Sequence, residues 1–345
     1  MHRWNRGMLL AALTAATMTG GELAAQAAPA APQLTVSGVA YAQYNYNISG
    51  TQHINAFDVT RTYINFNGKF AGGVSTRITP DIYRNADGSA AYRLKYGYVA
   101  YAPGAGKTTY KFGMIHTPWV AREEDIWDYR MQGGVATERA SYLSSSDLGV
   151  SVDTRVANDR LDLSFGIYNG ETYKKAEADQ RKDLMARASF LLSSTDDVTA
   201  AGGLRLTGFA MVGRPAGGGT RDRYIGMVSY KSKRFTLAGE YAMVRDSSTT
   251  AALPEVTGSV ISAFGVYRLP ESKVALIGRV DLIDPNTDTG NNANTRIIAG
   301  ASYQLSPNLR LLADVDLLSQ EAGNPTIPSG IDPRNQALFQ LQFTF

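Results

Sequence analysis

Beyond residue 33 the chain is written in a two-residue rhythm. Leu34–Tyr44 sets Leu34, Val36, Gly38 and Ala40 against Thr35, Ser37, Val39 and Tyr41. Phe57–Phe70 then sets Thr62, Ile64 and Phe66 against Arg61, Tyr63 and Asn65. Such alternation places one set of side chains on each face of a β-strand. Val74–Tyr83, Ala91–Tyr101 and Lys107–His116 continue it, with Tyr92, Leu94, Tyr96 and Tyr98 read as one face and Arg93, Lys95 and Gly97 as the other. After an interruption the rhythm returns in Leu148–Val156, Arg160–Tyr168, Lys182–Leu192, Gly203–Val212, Asp222–Tyr230 and Phe235–Val244. Gly258–Leu269, Lys273–Leu282, Asn294–Leu305, Leu309–Leu318 and Arg334–Phe345 complete it. About sixteen segments of roughly 9–13 residues result, the length that crosses a bilayer at a tilt.

The connections alternate too. Short turns near Gly104, Asn158, Ser232, Pro270 and Pro307 exchange with longer polar links such as Ser49–Ala56, Asn169–Arg181, Asp246–Thr257, Pro285–Ala293 and Ser319–Pro333. This pattern predicts an all-β fold, a closed antiparallel transmembrane β-barrel of about 16 strands with both termini at the short-turn end. A soluble β-sandwich also alternates, but so many long strands in open sheets would leave edges to protect. No stretch beyond the N-terminal leader is long and apolar enough for a spanning helix, so a membrane location requires barrel closure.

The rhythm fails between Gly113 and Gly149, where Trp119, Trp127, Pro118 and a mixed-charge cluster intervene. By position this is the third long loop. We expect residues 117–146 to fold inward as a constriction, with a short helix over Val120–Met131. Trp119, Ile126 and Trp127 are costly to leave in water, so the tryptophans are expected to anchor the loop to the wall. Its acids Glu123, Glu124, Asp125 and Asp128 become candidate lumen-facing groups, beside Arg122 and Arg130.

Ends and composition sharpen the picture. Arg3 and Arg6, the apolar run Met8–Met18 and the small-x-small site Ala25-Gln26-Ala27 have the three-part layout of a secretory signal peptide. Residues 1–27 are therefore expected to be a signal peptide and 28–345 the barrel. The last segment alternates and stops on Phe345, which resembles the assembly signal of bacterial outer-membrane proteins. That implies the cell outer membrane as location, with its lipids and the barrel assembly machinery as partners. A net charge of +3 excludes a strongly basic nucleic-acid binder. The absence of cysteine removes disulfides, thiol catalysis and Cys-bound zinc, and no Asp, Glu or His spacing reads as a metal or cofactor site.

If the smooth apolar faces meet lipid, the opposite faces line the interior. They carry Arg61, Arg77, Arg93, Lys95, Lys111, Arg187, Arg205, Arg223, Arg279, Arg296 and Arg310. Among them stand Asp81, Asp153, Asp162, Glu240, Asp281, Asp314 and Asp316. About sixteen strands leave an aqueous channel, the surroundings such charges need. Arg61, Arg77, Arg93, Lys95 and Lys111 fall on four consecutive strands, a basic arc able to concentrate anions opposite an acidic loop.

The segment FGMIHTPWVAREEDIWDYR followed by YLSSSDLGVSV resembles the strand, constriction loop and return strand of the phosphate-selective porin O/P family. The matching positions are Gly113, Thr117, Pro118, Trp119, Glu123, Glu124, Trp127, Tyr129 and Arg130, with Ser145, Asp147, Leu148 and Gly149 at the exit. The resemblance implies a trimeric outer-membrane pore of sixteen strands for small hydrophilic solutes. This loop is acidic rather than rich in Arg and Lys. The expectation is therefore a general porin with mild anion preference, phosphate being one candidate solute. The competing readings are an outer-membrane barrel enzyme and a non-conducting structural barrel. For the first, only His53 and His116 follow the leader, and neither sits in a nucleophile pattern. The second requires a plugged interior.

Overall fold

In the computed structural model, residues 31–49, 53, 55–85, 87–104, 106–177, 179–215, 218–248, 253–321 and 335–345 are described; the expected leader lies outside them. Five strands lead to the interruption: β1 (Gln33–Asn47), β2 (Asn55–Lys69), β3 (Val74–Arg84), β4 (Ala90–Tyr101) and β5 (Thr108–His116). Two short helices, α1 (Pro118–Trp127) and α2 (Ala136–Arg139), fill it. Then follow β6 (Ser146–Val156), β7 (Leu161–Tyr168), β8 (Asp183–Ser193), β9 (Gly203–Gly213), β10 (Arg221–Lys231) and β11 (Phe235–Ser248). The chain ends with β12 (Leu253–Arg268), β13 (Val274–Asp284), β14 (Asn294–Ser306), β15 (Leu309–Gln320) and β16 (Gln336–Thr344). Each strand pairs antiparallel with its sequence neighbours, and β1 pairs with β16 from Val39↔Thr344 to Asn47↔Gln336, closing the barrel. Closure pairs every strand edge, which a bilayer interior demands.

Outside, the wall is apolar: Phe57, Phe66, Tyr92, Phe112, Val150, Leu206, Val228, Tyr241, Ile261, Leu282 and Phe339 all stand exposed. Inside, the alternation holds with one correction. Tyr96 and Tyr98, expected on the outer face, turn inward. The register shifts between Thr79 and Pro80, so that Thr79 pairs with Tyr96 and Pro80 with Leu94, leaving Lys95 as a bulge. Lys95 and Tyr96 are adjacent, yet both are buried. Pro80 has no N–H for the ladder, and a bulge opposite it absorbs the missing bond.

The nine-residue β5 is short against the 15-residue β1 and β2. The chain therefore leaves the wall early and drops inside. Gly113 permits this close approach; its φ of 124° suits glycine, and a Cβ there would lie 2.3 Å from the Gly97 carbonyl oxygen.

The core lies within the barrel, between that loop and one side of the wall. Phe209, Ile225, Met227, Ala242, Val260, Phe264, Ile298 and Leu312 face inward and pack with Trp119, Val120, Ile126 and Trp127. The interior was expected to be a charged, water-filled channel. On β9 to β15 its middle instead forms an apolar seat for α1, with Arg205, Arg223, Glu240, Arg279 and Asp281 buried beside it.

Candidate functional site: the loop and the lumen strip

Thr117 takes extended backbone before α1, and Pro118 supplies a fixed φ at the first helical position, where its missing N–H costs nothing. The Thr117 hydroxyl donates to the Ser144 carbonyl, tying the two ends of the loop together. The helix was expected to run to Met131; it ends at Trp127 because Asp128 adopts a left-handed conformation with φ 59°.

Trp119 and Trp127 project from α1 into the seat and are fully buried. Their rings lie 5.8 Å from Phe209 and 5.1 Å from Phe264. Polar clamps surround them. Tyr129 Oη and Ser302 Oγ are 2.7 Å apart, Gln340 Nε2 donates to the Met131 carbonyl at 2.9 Å, and Arg223 Nε donates to the Tyr142 carbonyl at 3.1 Å. The loop descends to the short-turn end. There Lys231 Nζ donates to the Asp125 carbonyl, and Arg310 Nη1 donates to that of Asp128 at 2.9 Å. Arg122 reaches Asp162 at 2.6 Å and the Ala200 carbonyl at 2.8 Å. Buried aromatic anchors plus satisfied backbone carbonyls hold the loop as a fixed partition rather than a surface flap.

Many of the cations expected to line the pore prove to be paired, and several are covered. Arg187, Arg205, Arg223 and Arg279 are buried between wall and loop. Arg187 pairs with Asp162 at 2.9 Å, Arg223 with Asp246 at 2.9 Å, and Arg279 with Asp281 at 2.8 Å. Arg205 donates to the Gly202 carbonyl at 2.8 Å. Arg296 pairs with Asp316, and Arg310 with Asp128 at 3.4 Å. These pairs satisfy charges that would otherwise be costly under the loop. Arg296 and Arg310 stay partly exposed, as do Arg61, Arg93 and Lys111 on the basic arc of β2 to β5.

On that arc, Arg61 pairs with Asp81 at 2.8 Å, while Arg93 stands 3.9 Å from the same carboxylate. Lys111 pairs with Asp153 at 2.8 Å. Buried Lys95 donates to Tyr63 Oη at 3.1 Å. Arg77 donates to Asn65 Oδ1 at 2.8 Å and lies over the Tyr96 ring, 4.6 Å from its centroid; His116 stacks on the same tyrosine at 3.9 Å. The Arg93 guanidinium sits between Tyr83 and Tyr173, 4.9 Å and 4.7 Å from their centroids. The strip thus alternates cations with aromatic faces.

Facing it from the loop is a compact charge triad. Arg130 lies 2.6 Å from Glu124 and 3.1 Å from Glu138. Burial opposes ionisation of Glu138, but Arg130, Lys95 and Arg61 outweigh it and hold the carboxyl below its usual range. Burial dominates at Glu124 and raises it against the pull of Arg130, with the Glu138 charge adding to the rise. The loop therefore presents at least one carboxylate to a basic wall, the arrangement that sets a field across a passage.

Glu123 does something different. It was grouped with the lumen-facing acids, but it is fully buried on the wall side of α1. Trp119 Nε1 donates to its Oε2 at 3.0 Å, and its carboxyl meets that of Glu240 on β11. Among the described residues, no other donor reaches the Glu240 oxygens or Glu123 Oε1. Burial pushes Glu123 up to about 8, with Arg279 opposing and Asp281 adding to the rise.

Sequence reading passed over Tyr63, Tyr96, Tyr98 and Tyr173, which complete the strip, and gave no special place to Glu138 and Arg139. Pro80 was the available signal for the two tyrosines of β4. Nothing local marks Tyr173, which arrives from the link between β7 and β8. Among the described residues, no group of three or more His, Asp or Glu side chains is placed to hold a metal ion.

No family model matches the sequence, and no curated protein matches it. Solved structures do. OmpT, an outer membrane protein of Vibrio cholerae in trimer form, is 11% identical and superposes with a TM-score of 0.65, covering 92% of this chain and 100% of its own. OmpF of Salmonella typhi gives 14% and 0.62, covering 90% of this chain and 97% of that one. An engineered Rh. blastica porin gives 13% and 0.57, covering 91% and 100%. The chain therefore has a porin-like fold.

Proposed function

We propose that this chain is a porin of the bacterial outer membrane, giving small hydrophilic solutes and ions a passive route with a mild preference for anions, phosphate among them. The observation that carries the reading is the asymmetry of the lumen. Loop and wall fuse into a buried core on one side, and a charged strip of Arg61, Arg77, Arg93 and Lys111 faces Glu124, Arg130 and Glu138 on the other. Two signs of charge across a passage orient a polar solute while water carries it, and the excess on the wall favours anions. Residues 1–27 act as the export signal, and the barrel assembles as a homotrimer, with Phe345 read by the assembly machinery. The likeness to porins, one of them in trimer form, supports the homotrimer, while the export signal and the role of Phe345 rest on the sequence pattern.

We assign the chain no catalytic role. His116 is held between Tyr96 and Arg77, a setting for packing rather than for activating a nucleophile. A non-conducting barrel draws support from the extent of the loop's seat, and one experiment separates the two. Purified protein in a planar bilayer with a potassium chloride gradient is expected to show stepwise channels with a reversal potential on the anion-selective side. Absence of any current sinks the pore reading, and cation selectivity sinks the anion preference.

A further inference from the structure

Between the loop and the upper parts of β1, β2, β14, β15 and β16 lies a polar cavity of about 560 Å³. Its charged lining is Arg61, Arg130, Arg139, Arg296 and Asp316. Four guanidiniums facing one carboxylate make an unusual wall, because Asp316 is already claimed. Arg139 Nη1 lies 3.3 Å from its Oδ2, Arg296 Nη1 donates to its Oδ1, and Gln132 Nε2 donates to Oδ2 at 3.2 Å. Arg130 is likewise compensated by Glu124 and Glu138. Positive charge is in excess at two separate places: Arg61 on β2 shares the one carboxylate of Asp81 with Arg93, and Arg139 shares that of Asp316 with Arg296. Arg139 already spends Nε on the Gly134 carbonyl and Nη2 on Gln132. Among the described residues Arg61 commits only Nη1, to Asp81, and Arg296 only Nη1, to Asp316. Each keeps the rest of a planar donor fork, the shape that grips a carboxylate with two parallel bonds. The same lining carries the apolar Met131, Leu318 and Leu338.

We propose that this cavity is a binding site for small organic dicarboxylates, one carboxylate on the free donors of Arg61 and the other on those of Arg296 beside the Arg139 charge, with the carbon chain over Met131 and Leu338. The crowding of cations points the same way. Burial first, and then the neighbouring Arg279 against the help of Asp316, push Arg139 down to about 10, so an incoming anion relieves a repulsion already present. A volume of this size suits a small metabolite held by a few convergent polar groups. The site gives a solute class to the pore proposed above and rests on that reading for its role in passage.

The test compares succinate, sulfate and acetate near neutral pH, in single-channel recordings and by titration calorimetry on the detergent-solubilised protein. Sulfate carries the same charge as succinate on one centre, and acetate carries one carboxylate. Succinate is expected to bind and to interrupt current at concentrations at least about tenfold below either comparator. Arg61→Gln and Arg296→Gln should each raise its half-saturating concentration by about tenfold, with the double variant no better than acetate. Succinate binding no more tightly than sulfate, or both variants leaving its affinity unchanged, overturns the proposal. Calorimetry decides this even if no current is seen, so failure of the pore and failure of the site are told apart.

Discussion

Trp127→Ala should release the loop from its seat, and the size of the effect follows from what the indole touches. Trp127 is fully buried, with its ring 5.1 Å from Phe264 and 5.6 Å from Tyr129, and Arg279 lies over it at 5.6 Å. A tryptophan buries roughly 150–250 Å², which at about 25 cal/mol per Å² is roughly 4–6 kcal/mol. Truncations of this kind cost about 3–5 kcal/mol. The cost should fall on loop docking, since all the ladder hydrogen bonds that close the barrel lie elsewhere. At about 1.4 kcal/mol per tenfold, even 3 kcal/mol raises the undocked population about 100-fold. The chain contains no cysteine, so Val120→Cys introduces a single thiol at a fully buried position of α1 without background. Its rate of labelling by a small water-soluble thiol reagent measures how often the helix leaves the wall. Adding Trp127→Ala should accelerate labelling by at least about 100-fold while the assembled barrel remains folded. An acceleration below about tenfold would refute the reasoning, because the seat would then be held by the surrounding polar clamps instead.

Two further outcomes follow from the strip and the seat. Arg93→Glu with Lys111→Glu should move the reversal potential toward cations, since it also strips Asp81 and Asp153 of nearby cations 3.9 Å and 2.8 Å away; an unchanged potential shows that the arc does not control permeation. Burial raises the Glu123 carboxyl to about 8, so the docked loop favours the protonated form. Docking is strongest below the ordinary carboxylate range of about 4 and weakens as pH climbs to about 8. Thermal denaturation should therefore show stability falling between pH 5 and 8 by up to about 1.4 kcal/mol per unit, and Glu123→Gln should flatten the slope. A slope unchanged in Glu123→Gln assigns the pH dependence to another group.

Much of this molecule was legible in the order of its residues. Alternation with period two and two classes of connection are local properties, and they sufficed for a closed antiparallel barrel and for a loop that leaves the wall after His116. The anchoring tryptophans were legible for the same reason, because an exposed indole in a charged segment needs a burial site. Strand facing was less secure. One bulge at Lys95 reversed Tyr96 and Tyr98, since a period-two pattern inverts with a single inserted residue and Pro80 was the sole local hint. What each charge does was decided by the tertiary structure alone. Glu123 and Glu124 are adjacent in an acidic run, yet a helix turns them about 100° apart. One then meets Trp119 and Glu240 in the buried seat, and the other meets Arg130. Arg279 and Arg61 both alternate inward, but the loop buries the first completely and leaves the second partly exposed. Which cations are covered depends on where a partition comes to rest across the lumen, and that position is set by contacts between residues more than a hundred apart in sequence, such as Tyr129 and Ser302.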